Sequence, residues 1–410
     1  MKKNFIQDED DDKVIFDIVN KIIEKTIKQS KHSKGQYFTT NKLLKQKVFE
    51  FITNNPQTIL EPSIGRGDLI DFIQNQKQHK DIQYDLYEID NHIELLPSMQ
   101  KHTITYTDFL TTNITKKYDT IIGNPPYVKT KTGNLYVKFI EKCYNLLNEN
   151  GELIFIVPSD MFKLTSMSSI LEDMMKNGSF TDIFFPNDET LFEDANIDVI
   201  VFRYCKKKQL EKTALVNGTK KFITLTNGLL TFDDEYNEGK IIGDYFKAYV
   251  GLVSGKEAVY KKTFGNIDIL RKEKCRERYI LVDTFPSHNT QINNYLLENK
   301  TCLKERKIKK FNETNWFQWG APRNKQIMEK YKGKECCYVY NLTRSSRVAF
   351  KGKVEYFSGN MIMLLPNKEN EINLDDFVDY LNSADFQKNY IYSGRFKIGH
   401  RILLNSKFTI

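Results

Sequence analysis

The sequence predicts an α/β protein built on a doubly wound, mostly parallel sheet, followed by a second domain of different character. Three observations carry this. Up to about residue 205, short apolar segments that end in turn residues alternate with helical patterns. Polar motifs fall just after several of those segments, where ligands sit in folds of this kind. Beyond that point the alternation stops, and turn-rich, then lysine- and aromatic-rich sequence takes over. A chain of 410 residues with 40% hydrophobic content is long enough for two cores.

Taken in order, KVIFDIVNKIIEKTIKQ (13–29) places Val14, Ile15, Ile18, Val19, Ile22 and Ile23 on one helical stripe, so residues 1–33 read as a helical extension. The strand candidates are TIL (58–60), YDLYEI (84–89), TITYT (103–107), YDTIIG (118–123), ELIFIVP (152–158), FTDIFF (180–185) and IDVIVFRY (197–204). Helical stretches lie near 67–77, 135–148 and 168–176, and Gly151 is the expected C-cap of the second. VNGTKK, LTNGLL and DDEYNEGK read as a β-rich linker to a second domain. The expected domains are therefore 1–33, 34–238 and 239–410, the last an α+β unit.

No run of 18 apolar residues occurs, so no transmembrane helix is expected. The N-terminus, MKKNFIQDEDDDK, turns acidic where a signal peptide needs an apolar core. The six cysteines form no CxxC pair and no histidine stands at ligand spacing. That pattern fits a reducing cytoplasm and no structural metal. Charge is uneven: residues 241–410 carry 30 Lys and Arg against 18 Asp and Glu, whereas residues 1–240 carry 31 against 35. A basic unit joined to a mildly acidic one suits a polyanion-binding module attached to a catalytic one.

The segment IIGNPPYVKT (121–130) runs an apolar strand into two prolines, which donate no backbone hydrogen bond and cannot continue it. Asn124 to Tyr127 therefore form a stiff turn that presents an amide, a carbonyl and an aromatic ring to a flat, hydrogen-bonding ligand such as a base. In ILEPSIGRGDLI (59–70), Gly65 and Gly67 permit close backbone approach to a ligand. Glu61 before that turn would repel a pyrophosphate and suits a cationic amino-acid head, which favours S-adenosylmethionine over a dinucleotide. Glu88 ends the next strand, where an acidic residue can hold ribose hydroxyls. Asp108 follows the third and can accept from an adenine amino group, with Phe109 flanking the ring.

GQYFTT (35–40), EPSIGRGD, YEID, TDF, NPPY and LFEDANIDVIVFRY (191–204) occur in the order seen in γ-class DNA adenine-N6 methyltransferases of restriction-modification systems, and the chain resembles that family. The resemblance implies a Rossmann-like methyltransferase domain and a C-terminal target-recognition domain. It implies methyl transfer from S-adenosylmethionine to N6 of adenine in a specific duplex sequence, with the base flipped out. Tyr37 and Thr39 would then close over the cofactor's methionine end, and Glu61, Ser63 and Gly65 would line its amino-acid portion. Glu88 would hold the ribose, Ile89 would pack on the adenine, and Asp108 and Phe109 would read its edge. Asn124, Pro125, Pro126 and Tyr127 would form the catalytic turn, with Phe192 as a second aromatic surface for the flipped base. Thr40 stands where the family commonly has a proline, which touches only local loop geometry.

Enzymes acting on RNA or on a protein glutamine share NPPY, and a non-catalytic DNA-binding subunit is a further alternative. GQYFTT and the basic C-terminal half favour double-stranded DNA. Lys304 and Arg306 in KERKIKK, and Arg344 and Arg347 in NLTRSSR, are the expected DNA contacts, while Trp316 and Trp319 read as core. The 34 residues before GQYFTT are too few for a nuclease domain, so cleavage is expected from a separate endonuclease, and the methylase is expected to act as a monomer.

Overall fold

The computed structural model describes residues 37–76, 82–130, 133–193, 196–207, 210–236, 239–368 and 371–408. The helix expected over 13–29 lies outside them, as do Gly35 and Gln36 of GQYFTT. The chain divides into two compact units between Tyr236 and Asn237. Among the described residues no helix is long and apolar enough to cross a membrane.

In the first unit, helix α1 (Lys42–Glu50) starts at Asn41, whose side chain accepts from the amides of Leu43 and Leu44. Strand β1 (Thr58–Glu61) leads into α2 (Asp68–Gln74), then β2 (Gln83–Glu88), β3 (Ile104–Tyr106) and β4 (Tyr118–Gly123). A small hairpin, β5 (Lys129–Thr130) and β6 (Gly133–Asn134), precedes α3 (Leu135–Asn145) and the long β7 (Leu147–Pro158). Helix α4 (Ser168–Asn177), β8 (Gly178–Phe184) and β9 (Val199–Lys206) follow, then β10 (Thr213–Val216), β11 (Thr219–Thr226) and β12 (Leu229–Asp233). The ten-stranded sheet has the order β12-β11-β10-β8-β9-β7-β4-β1-β2-β3. From β3 to β7 every pairing is parallel, whereas β9 runs antiparallel between β7 and β8.

Both faces of the central strands β4 and β7 are buried, and adjacent residues supply opposite sides. Leu60, Ile121, Leu153, Phe155 and Val157 join a core with Phe139, Ile140 and Cys143 of α3. Their neighbours Ile59, Ile122, Ile154 and Ile156 join a different core with Leu44 and Val48 of α1 and Ile70 and Ile73 of α2. The strands consequently read as continuous apolar runs rather than alternating ones. The sheet order reverses between β1 and β4, and polar turns gather beyond the carboxyl ends of those strands.

Two expectations require correction. The residues expected to be a linker build β10 to β12, which extend the main sheet through two tight hairpins. Their turns are Asn217-Gly218 and Asn227-Gly228, all four at positive φ, the pairing that matches the right-handed twist of the flanking strands. Gly151 is no helix cap, because α3 ends at Asn145 and Gly151 lies in a bulge of β7. A Cβ there would sit 3.0 Å from the carbonyl oxygens of both Asn148 and Tyr118, so close backbone approach explains this glycine.

The second unit is α+β. A four-stranded antiparallel sheet has the spatial order Phe246–Val250, Met361–Pro366, Glu335–Tyr340, Ala349–Lys353. One core contains Tyr260, Trp316, Trp319 and Tyr338, and another contains Phe246 with Phe377 of the helix Leu374–Asn382. Both tryptophans are 2% exposed, as their reading as core residues required.

On β7, inside the first unit's sheet, Glu152 is 1% exposed and accepts from Thr53 N, Thr53 Oγ1 and Arg203 Nε. Arg203 also pairs with Asp182 at 2.8 Å. Removing the cation strands a buried carboxylate, which costs far more than an exposed pair is worth. Arg203→Met is expected to lower the unfolding free energy by about 3–5 kcal/mol in urea titrations. A loss below about 1 kcal/mol, the range of an exposed pair, would contradict this role.

Candidate active site

A cavity of about 590 Å³ opens at the carboxyl ends of β1, β2, β3 and β4. Of the expected site residues, Tyr37, Ser63, Gly65, Glu88, Ile89, Asp108, Phe109, Asn124 and Pro126 line it. Thr39, Glu61, Pro125, Tyr127 and Phe192 are not among its lining residues. The wall also includes Phe38, Pro62, the loop Asp90 to Ile93, Leu110 and Phe139, which the sequence reading did not single out. Most of them adjoin a recognised motif in the chain, and that adjacency was the available signal. Phe139 is the exception, since it comes from the middle of α3.

The turn after β1 is built on two glycines at positive φ, Gly65 at 58° and Gly67 at 91°. A Cβ on Gly67 would meet Met99 Cγ at 2.4 Å, so only glycine fits between the turn and that core residue. Glu88 fixes the turn from the next strand. Its Oε2 accepts from Gly65 N, and its Oε1 accepts from Ile89 N and Asp90 N, each at 2.9 Å. Ile89 beside it is 69% exposed in the cavity wall.

Glu61 is 2% exposed, yet its Oε2 has no hydrogen-bond partner among the described residues, and the same holds for Ser63 Oγ. Burial pushes the Glu61 carboxyl well above the usual range, and the like charges of Asp68 and Glu88 push it further. Arg66, the nearby cation of the same turn, is engaged with Asp68 at 2.9 Å. A buried carboxylate with an unmet oxygen, next to a buried orphan hydroxyl, is complementary to a cationic hydrogen-bond donor. The residues present thus fit the cationic amino-acid end of S-adenosylmethionine.

Asn124 sits just beyond β4 and is held on both sides. Its Nδ2 donates to Tyr37 O at 2.8 Å and to Thr39 Oγ1 at 3.1 Å. Thr39, 5% exposed, therefore serves Asn124 directly, where the resemblance implied a cofactor contact. Oδ1 faces the hydroxyl of Tyr127 at 2.5 Å, and that hydroxyl also lies 3.0 Å from Ile156 O. With both amide hydrogens engaged, the side chain cannot flip, and its oxygen retains a lone pair.

Three rings gather here. Tyr37 stacks on Tyr127 with centroids 5.6 Å apart at 27°, whereas Phe192 meets Tyr127 edge-on at 6.2 Å and 78°. Phe192 is 4% exposed and packs with Leu191 and Val199. The structure brings it to the NPPY turn, but as a buried, perpendicular neighbour rather than as an open face parallel to Tyr127.

The sheet order, the antiparallel β9 between β7 and β8, and a cavity at the β1/β4 reversal define the Rossmann-like fold of class I methyltransferases. Within that class, residues 9–192 match the model of the Eco57I restriction-modification methylase family. The likeness to restriction-modification methylases drawn from the motifs is therefore borne out over that stretch. The type II methyltransferase M.HincII of Haemophilus influenzae is 26% identical over 279 residues, covering 59% of this chain and 54% of that protein. The modification methylase CviBIII of Paramecium bursaria Chlorella virus NC1A is 35% identical over 157 residues, covering 33% of this chain and 41% of that protein. The chain spans about half the length of the curated relatives it matches. Among solved structures, the type IIL restriction-modification enzyme MmeI in complex with DNA is similar in fold. Its TM-score is 0.54 at 10% identity, covering 96% of this chain and 67% of that one.

The four basic residues expected to contact DNA divide in the second unit. Arg344 is exposed and forms no ion pair among the described residues, while Arg347 is exposed but paired with Glu273 at 2.8 Å. Lys304 pairs with Glu313, whose carboxyl the neighbouring Lys300 and Lys304 hold down at about 2. Arg306 is a correction. It is 7% exposed, donates to Leu303 O, Ser254 O and Trp316 O, and lies 3.7 Å over the Phe311 ring. A guanidinium with three carbonyl partners inside a core is a tether and cannot reach a phosphate. KERKIKK reads as a charge run, and only burial distinguishes its third charged residue. Arg306→Met strips Leu303 O and Trp316 O of their donor, and leaves Ser254 O with Gly320 N alone, and should lower stability by about 2–4 kcal/mol in thermal or urea unfolding. An unchanged melting curve with weakened DNA binding would instead restore Arg306 to the surface.

Proposed function

We propose that this chain transfers a methyl group from S-adenosylmethionine to N6 of adenine within a specific duplex DNA sequence. The observation that carries the reading is the fixed orientation of Asn124 in the cavity wall, with Oδ1 left as the acceptor. The exocyclic nitrogen of adenine is a poor nucleophile because its lone pair is delocalised into the ring. Asn124 Oδ1 and the carbonyl of Pro125 would accept its two N–H bonds and favour the tetrahedral, lone-pair-bearing form. The same contacts would stabilise positive charge as the nitrogen gains carbon, after which the nitrogen sheds a proton to solvent. The cofactor, when bound, supplies an electrophilic methyl on a sulfonium. Glu61 and Ser63 would seat its amino-acid end, Glu88 its ribose, and Ile89, Asp108 and Phe109 its adenine.

A base in a duplex must leave the stack to reach this turn, at a cost of a few kcal/mol. Tyr127 offers a stacking face, and in the structure Tyr37 covers that face. The net basic charge of residues 241–410 supports a DNA partner, and the second unit would supply target recognition through residues such as Arg344, Arg347 and Lys304. As a cytoplasmic modification enzyme, the chain would protect sites cut by a separate endonuclease.

Asn124→Ala is expected to lower single-turnover methyl transfer by on the order of 10²-fold or more, with cofactor affinity changed only a few-fold. Tritium transfer from labelled cofactor to duplex DNA, with calorimetry for binding, measures both. Near-normal transfer by the variant would overturn the assignment.

A further inference from the structure

Resting on the reading that the cavity takes an adenosyl cofactor, we propose that Lys142 is a positioning residue for the adenine end of the site. Lys142 lies in the last turn of α3, and no motif contains it. Its ammonium donates to three backbone carbonyls of one loop, those of Phe109, Leu110 (3.3 Å) and Thr112 (2.5 Å). It also stands 4.7 Å over the Phe109 ring. One turn earlier on the same helix, Phe139 stacks on Phe109 with centroids 5.6 Å apart at 17°. Helix α3 thus holds the loop after β3 twice, through a ring and through a charge.

That loop forms one wall of the cavity: Thr107, Asp108, Phe109 and Leu110 line it, as does Phe139. Asp108 Oδ1 accepts from Leu110 N at 2.9 Å, and Asp108 O accepts from Thr112 Oγ1 at 2.8 Å. Three carbonyls converging on one ammonium prevent the peptide planes from 109 to 112 from turning independently. The direction of the Asp108 carboxylate and the pose of Phe109 are thereby set before a ligand arrives. Burial draws Lys142 below the usual lysine range, while Cys143 and then Asp108 pull the other way. A surface lysine making one contact would do none of this. Preorganised ligand contacts depend on groups of this kind that hold them from behind.

Lys142→Met keeps the aliphatic stem over Phe109 and removes the three donors. On the full chain, calorimetry should show affinity for S-adenosylmethionine, S-adenosylhomocysteine and 5′-methylthioadenosine falling together, by about tenfold or more. The common loss identifies the adenosine end, since the last ligand lacks the amino acid. Turnover at saturating cofactor should stay within about twofold and KM for DNA should not move, because the loop holds the cofactor and not the reacting atoms. Lys142→Arg should recover most of the affinity. Lys142→Gln, prepared in parallel in case the Met variant does not fold, should bind between the Met variant and the parent. A folded Met or Gln variant that binds all three ligands as the parent does would overturn the proposal while leaving the functional reading intact. A parent chain that binds none of them would overturn both.

Discussion

The central strands of the first unit's sheet are covered on both faces, and that constraint decides where chemistry can occur. Ile121 and Ile122, or Ile154 and Phe155, point into different cores on opposite sides, so the described central strands β4 and β7 leave little surface for a ligand. A cavity opens instead at the carboxyl edge, where the strands run out into turns. Glycines at positions 65 and 67, glutamates at 61 and 88, and the proline-stiffened turn at 124–127 all stand there. Each is unfavourable by local rules, whether as positive φ, buried charge or broken strand. Together they surround one cavity, and local violations gathered at a single place are the expected mark of a site.

Much of this was legible in the sequence because the relevant signals are local. The apolar run of β4 and its end at Gly123 were readable from the prolines that follow. The hairpins of β10 to β12 were visible as Asn-Gly turns, but not their destination, since sheet membership depends on which edge is free. Arg306 was misread for a similar reason. Charge runs look alike whether they face water or fold one member inward onto three carbonyls. Gly151 was read as a cap because a helix precedes it, whereas a bulge against Tyr118 requires it. Lys142 gave no signal at all, since a lysine in an amphipathic helix is ordinarily a solvated residue and only the path of a distant loop gives it work.

The arrangement around Asn124 links the two ends of the motif series. Tyr37 and Thr39 come from before β1 and Asn124 from after β4, yet their hydrogen bonds fix which way the amide points. Position in the chain therefore says little about role: Thr39 orients the Asn124 amide, and Glu61, at the end of β1, keeps a buried oxygen without a partner among the described residues. Because the folded pKa of Glu61 lies above its unfolded value, its contribution to stability is fully present below the unfolded pKa and is lost as pH rises through the folded one. A cation binding beside it would reverse that penalty by favouring the carboxylate.

Titration calorimetry of the full chain with S-adenosylmethionine, in buffers of different ionisation heat and at several pH values, tests this account most directly. Saturable binding should release protons from Glu61, and affinity should rise with pH until the folded pKa of Glu61 is passed. Glu61→Gln should bind more weakly and without that release. Absence of saturable binding, or binding by the parent chain that neither releases protons nor depends on Glu61, would contradict the claim that this cavity is a seat for a cationic adenosyl ligand.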